Sequence, residues 1–258
     1  MNNKYQGRFL KGILVLLFWG LTSFRTNDAK SINIIFIGDS ITYGEARAEL
    51  EPSVYAVAYL KKKMGIDSIH QINDGISGKT TADFQPSTDY YKTITKQADS
   101  FYSMDNATLV FSFMLGTNDS AIQGTNGAPV SPPDYRKNME TIIDQLLNRY
   151  PKSKVIVNCP LWYSPNTYNS SKYLAEGLAR LQDYFPQVRL MVKNYSKSHP
   201  GNVFIGDQSG FNYFRKNYLE FLRPEQGKMG IFYLHPDIKG AAKLGEFWGK
   251  ALYKTLKR

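Results

Sequence analysis

The chain has 258 residues, of which 42% are hydrophobic, 14% aromatic and 21% charged, with a net charge of +10. That aromatic content and the absence of like-charge blocks exclude a disordered chain, and a single cysteine excludes a disulfide scaffold. Residues 1–30 carry +4 of the charge, and the one basic run beyond them, Lys61-Lys62-Lys63, closes an expected helix where cations are favoured, so no nucleic-acid partner is expected.

Lys4, Arg8 and Lys11 precede an uncharged apolar run over 13–21, the pattern of a secretory signal peptide. The run is short of the roughly 20 residues a membrane span needs. The expectation is a signal peptide and short leader over 1–29, a single domain over 30–258, and a secreted or periplasmic protein with no membrane contact after signal removal. The domain then opens with Ile34-Ile35-Phe36-Ile37, a buried strand ending in Gly38-Asp39-Ser40. Pro52–Met64 reads as a helix with proline at its start, and 68–72 as a weaker strand. A continuous apolar strand covers 109–115. Over 134–150, Met139, Ile142, Ile143, Leu146, Leu147 and Tyr150 fall on one helical face, and Pro151 stops it. The strand 154–158 precedes Cys159, expected to be a buried thiol. Two helices, 172–185 and 187–198, are expected on either side of Pro186. Val203–Ile205 forms a short strand ending in Gly206-Asp207, and 236–256 the last helix.

Unbroken apolar strands alternating with helices predict a parallel sheet of about five strands, covered on both faces. In such sheets the loops at the carboxyl ends of the strands build the site. Four short motifs stand there or open the last helix: Gly38-Asp39-Ser40; Gly78 within Asn73-Asp74-Gly75-Ile76-Ser77-Gly78; Gly116-Thr117-Asn118-Asp119; and His235-Pro236-Asp237.

In order and spacing these motifs resemble the SGNH (GDSL-type) hydrolase family over residues 33 to 255. The resemblance implies a flavodoxin-like three-layer α/β/α sandwich and a serine esterase that needs no metal or organic cofactor. It implies Ser40 as nucleophile and His235 as base. The oxyanion donors it implies are the backbone N–H groups of Ser40 and Gly78 and the side-chain amide of Asn118.

The chemistry of the residues agrees. A serine hydroxyl needs a base, and of the three histidines only His235 sits on a loop able to reach the sheet edge; His70 and His199 read as structural. Gly78 lets its amide approach a substrate closely. Asp39 and Asp119 read as acceptors that fix loops. The family's usual aspartate, three residues before the base, is replaced by Phe232. A backbone carbonyl within 230–233 is the expected acceptor for the imidazole N–H, with Asp207 as the alternative; Asp237 belongs to the first turn of the last helix.

Trp162, Tyr163 and Tyr168 follow a central strand and are candidates to contact substrate. No apolar lid segment is visible. The expected activity is removal of short acyl groups, acetyl above all, from a carbohydrate. An arylesterase, thioesterase or lysophospholipase on the same residues is the enzymatic alternative. A glycan-binding module without catalysis is the alternative of another class, supported by the missing aspartate.

Overall fold

Strands that are apolar on both faces must lie between two helical layers, and the computed structural model, which describes residues 31–66, 68–104 and 107–257, shows that arrangement. The elements run β1 (Ser31–Gly38), α1 (Ser40–Tyr43), α2 (Pro52–Met64), β2 (Ile69–Gly75), α3 (Asp89–Tyr102), β3 (Ala107–Met114), α4 (Pro132–Arg149), β4 (Lys154–Val157), α5 (Leu174–Ser198), β5 (Val203–Ile205), α6 (Gly210–Phe221), β6 (Leu222–Gly227), β7 (Gly230–Pro236) and α7 (Ile238–Leu256). Five strands form one parallel sheet in the order β2-β1-β3-β4-β5. β1 shows the two faces: Phe36 stacks on Trp248 of α7 at 5.7 Å, while Asn33 donates to the Phe101 carbonyl of α3. Helices α2 and α7 pack together, and α4 packs against α5. Tyr150 at the end of α4 donates to the Thr95 carbonyl and to Asp99, so α3 joins that layer.

The expected signal segment lies outside the described residues. Among the described residues, no helix is long and apolar enough to cross a membrane.

Pro186 does not divide two helices. Helix α5 runs through it, because Leu181, Tyr184, Val188, Met191 and Tyr195 keep one buried stripe in phase across the proline. Burial of those side chains offsets the lost N–H bond, a cost of about 3 kcal/mol. Helix α3 escaped the sequence reading because its buried stripe is Tyr91, Ile94, Thr95 and Ala98, only one of them a large aliphatic. The antiparallel β6–β7 hairpin was also missed, and it carries the feature that matters most for the site. Cys159 is buried, as expected from its apolar strand, and burial pushes its thiol up to about 12.

Candidate active site

All five parallel strands end on one edge. After β1, Asp39 caps α1: its Oδ1 accepts from the Ile41 N–H at 3.0 Å. Ser40 is thereby the first helical residue, and its own N–H has no acceptor within the helix. Its Oγ lies 2.9 Å from His235 Nε2.

His235 comes from the hairpin. The register pairs Leu222 with Pro236 but Pro224 with Tyr233, so Leu234 and His235 together oppose Arg223. This bulge turns the His235 N–H out of the strand ladder, where it donates to Glu225 Oε1 at 3.2 Å. The same carboxylate holds the ring, with Oε1 and Oε2 at 2.8 and 3.0 Å from Nδ1. Burial alone would raise the Glu225 carboxyl. The hydrogen bonds and charge of His235 outweigh burial and keep it below the usual carboxylate range. Ser40, His235 and Glu225 therefore form a continuous hydrogen-bonded chain.

That geometry corrects the expected third member. The acceptor at Nδ1 is the Glu225 carboxylate on the neighbouring strand, not a backbone carbonyl within 230–233. Phe232 is buried in the core. Asp207 accepts from the N–H groups of Ser209 and Gly210 at 2.8 and 2.9 Å and is spent at the start of α6. Asp237 caps α7 through Gly240 at 2.7 Å. His70 of β2 hydrogen-bonds to Asn33 of β1, and His199 ends α5, both away from this edge.

Gly78 has a φ of +77°, a value glycine adopts without strain. Asn118 is 3% exposed, and its amide is fixed at both ends. The Tyr173 hydroxyl donates to Oδ1 at 2.6 Å, and Nδ2 donates to the Lys79 carbonyl at 3.0 Å. With Oδ1 held by Tyr173 and one N–H by the Lys79 carbonyl, Nδ2 keeps a second N–H. Ser40, Gly78, Asn118 and His235 line one cavity of about 370 Å³. Three donors around a nucleophile suit a tetrahedral oxyanion. Asn118→Ala should accordingly lower kcat by roughly 10² to 10³ with a smaller change in KM, read from initial rates on an acetyl ester. A rise in KM at constant kcat would instead make Asn118 a ground-state binding group.

Beneath the donors, Asp119 ties two loops together. It is fully buried and accepts from the Thr81 N–H at 3.0 Å and from the Thr81 hydroxyl. Burial, against those hydrogen bonds, pushes its carboxyl up to about 7, and buried Asp39 is pushed up to about 6. A carboxyl raised in the folded state contributes stability at low pH and loses it as pH rises through the folded value. The Asp119 contribution should fade between about pH 4 and 7, by on the order of a few kcal/mol. Denaturant midpoints from pH 4 to 8 should fall more steeply for the wild type than for Asp119→Asn. Parallel curves would show that Asp119 titrates as in the unfolded chain.

Trp162, Tyr163 and Tyr168 do not form a stacking surface. Trp162 and Tyr163 are buried; Trp162 packs on Tyr218, and the Tyr163 hydroxyl bonds to Ser120. Large rings after a central strand gain more by filling the core beneath the loops than by facing water. Tyr168 is half-buried with the Lys228 ammonium 4.5 Å and the Lys172 ammonium 5.9 Å from its ring centre. The same loop reaches the cavity through Asn169, Ser170, Ser171 and Tyr173 instead.

The model of the GDSL-like Lipase/Acylhydrolase family matches residues 36–190, and the chain belongs to that family. It is a hydrolase acting on ester bonds. The match contains Ser40, Gly78 and Asn118 but stops short of the hairpin that carries Glu225 and His235. Among solved structures, the fold is similar to a carbohydrate acetylesterase from Sinorhizobium meliloti, at 17% identity and a TM-score of 0.58, covering 87% of this chain and 99% of the other. It is similar to the M. smegmatis aryl esterase at 16% identity and TM-score 0.56, covering 88% and 99%. It is also similar to an acetylxylan esterase from Geobacillus stearothermophilus at 19% identity and TM-score 0.56, covering 89% and 97%. No curated protein matches the chain in sequence.

Proposed function

We propose that this chain is a serine esterase that removes acetyl and similarly short acyl groups from a carbohydrate. The observation that carries the reading is the wall of the cavity beside Ser40. Ser77, Asn169, Ser170, Ser171, Glu45 and Arg223 line it, and among the described residues its apolar part is Leu234 and the ring of Tyr173. Such a wall offers hydrogen bonds to a polyol and little surface to a long acyl chain. The two similar structures named for acetylated carbohydrates support the same substrate class.

In the reaction, Ser40 Oγ attacks the ester carbonyl carbon as His235 Nε2 takes its proton. The Ser40 and Gly78 N–H groups and the Asn118 amide hold the oxyanion. Its collapse breaks the bond to the alcohol, which leaves with the proton from His235. Water, deprotonated by the same imidazole, then cleaves the acyl-Ser40 ester and releases the acid. Glu225 holds the Nδ1 proton throughout and stabilises the imidazolium. A carboxylate at His235 Nδ1 takes away the missing acid on which a purely binding module rested. The basic start of the chain and its apolar run over 13–21 support action outside the cytoplasm, in the periplasm or beyond.

The test is a series of p-nitrophenyl esters from acetyl to octanoyl, with acetate release from acetylated glycans alongside. The value of kcat/KM should fall by more than about tenfold across the series. Equal or better turnover of the octanoyl ester would point to a lipid substrate.

A further inference from the structure

After α1 the chain makes an unusual turn: Gly44, Glu45 and Ala46 take φ values of +58°, +56° and +54°. Two of the three are L-residues in the left-handed region, a conformation that persists only where surrounding contacts hold it. Among the contacts here are the Arg47 N–H to the Gly44 carbonyl at 3.0 Å and an ion pair between Glu45 Oε1 and Arg223 Nη2. Both side chains line the cavity that holds Ser40 and His235, and also the narrow crevice behind it with Ile41, Leu50 and Pro236. Arg223 stands two residues before Glu225 on β6, so both project from the same face of that strand.

We propose that the Glu45–Arg223 pair is a specificity site for the alcohol half of the substrate, binding sugar hydroxyls that neighbour the ester. The inference rests on the esterase reading and adds the group recognised. The departing oxygen must face His235 Nε2, which returns the proton to it. Glu45 and Arg223 border the cavity on the His235 side, while Gly78 and Asn118 supply the oxyanion donors. The pair thus lies beside the alcohol. Both members keep capacity to bind: their side chains are 43% and 32% exposed, and among the described residues Glu45 Oε2 has beside it only the exposed Arg47 guanidinium, at 4.0 Å. A guanidinium offers donors only and a carboxylate acceptors only. A hydroxyl is both, so adjacent hydroxyls on a ring can donate to Glu45 and accept from Arg223. An alkyl neighbour serves neither group; a methyl ether cannot donate to Glu45, and its methyl group crowds the oxygen that would accept from Arg223.

The experiment compares two substrates: a methyl glycoside bearing one acetyl ester beside free hydroxyls, and the same ester with those hydroxyls methylated. The readout is the ratio of their kcat/KM values in the wild type, Glu45→Gly and Arg223→Gln, with p-nitrophenyl acetate run on the wild type. Glycine accepts the positive φ at position 45, and a thermal melt establishes that each variant is folded. The wild type should prefer the free-hydroxyl ester, and each variant should lose about 10- to 100-fold of that preference. A preference within about twofold of the wild type in both variants overturns the proposal. A wild type that cleaves p-nitrophenyl acetate but shows no preference overturns it while leaving the esterase reading intact. A wild type inert toward p-nitrophenyl acetate breaks the esterase reading itself.

Discussion

Glu225→Gln should lower kcat by about 10⁴ in a protein that remains folded, with little change in KM. The carboxylate accepts the Nδ1 proton at 2.8 Å and so leaves Nε2 lone-paired toward Ser40. A glutamine at 225 can present its NH₂ to Nδ1, which favours the opposite tautomer and takes the base away from the nucleophile. It also removes the negative charge that stabilises the imidazolium formed during attack. Neither effect acts on bound substrate in the ground state, so the loss belongs in kcat. Had a neutral carbonyl held the ring, this substitution would cost less than about tenfold. Steady-state kinetics beside a thermal melt separate the two cases. Glu225→Asp should recover part of the loss, since it keeps the charge but shortens the reach by one methylene.

Ser40→Ala should abolish turnover, with a loss of about 10⁶ in kcat. The residual rate should come from the Gly78 and Asn118 donors and from substrate binding alone. The side chain removed caps nothing and fills no core position: Ser40 is half-buried at the cavity, and the cap of α1 is supplied by Asp39. Stability should therefore change little. An active, folded Ser40→Ala protein would place the chemistry elsewhere. Combined with Glu225→Gln, the loss should stay near that of Ser40→Ala alone, because the two residues act on one step.

The parts of this site that were legible in the sequence are those fixed by local chain geometry. A buried strand that stops at Gly38-Asp39-Ser40 exposes the serine at a strand-to-helix turn, and Gly116 to Asp119 repeats the arrangement after β3. The acid was not legible, because it depends on pairing between two strands. Glu225 and His235 are ten residues apart, and only the hairpin with its bulge at Leu234–His235 joins them. A signal was present: Gly227-Lys228-Met229-Gly230 has the glycines of a tight hairpin turn. Reading that stretch as a hairpin would have brought Glu225 toward the base histidine. The aromatics failed in the opposite sense. Trp162 and Tyr163 lie after the expected strand, yet a ring at that place has as much to gain from the core as from a ligand, and nothing in the local sequence distinguishes the two. Tyr173 was passed over because its role, orienting Asn118 across 55 residues of chain, is tertiary.

The most direct test of the Ser40–His235–Glu225 chain is covalent capture with a p-nitrophenyl alkylphosphonate, followed by mass mapping of the adduct and timing of its formation. The phosphorus traps an activated serine and loses p-nitrophenolate. The account predicts one adduct, on Ser40, formed orders of magnitude more slowly in Glu225→Gln than in the wild type. An adduct on another residue, no adduct at all, or equal rates in the two proteins would contradict it.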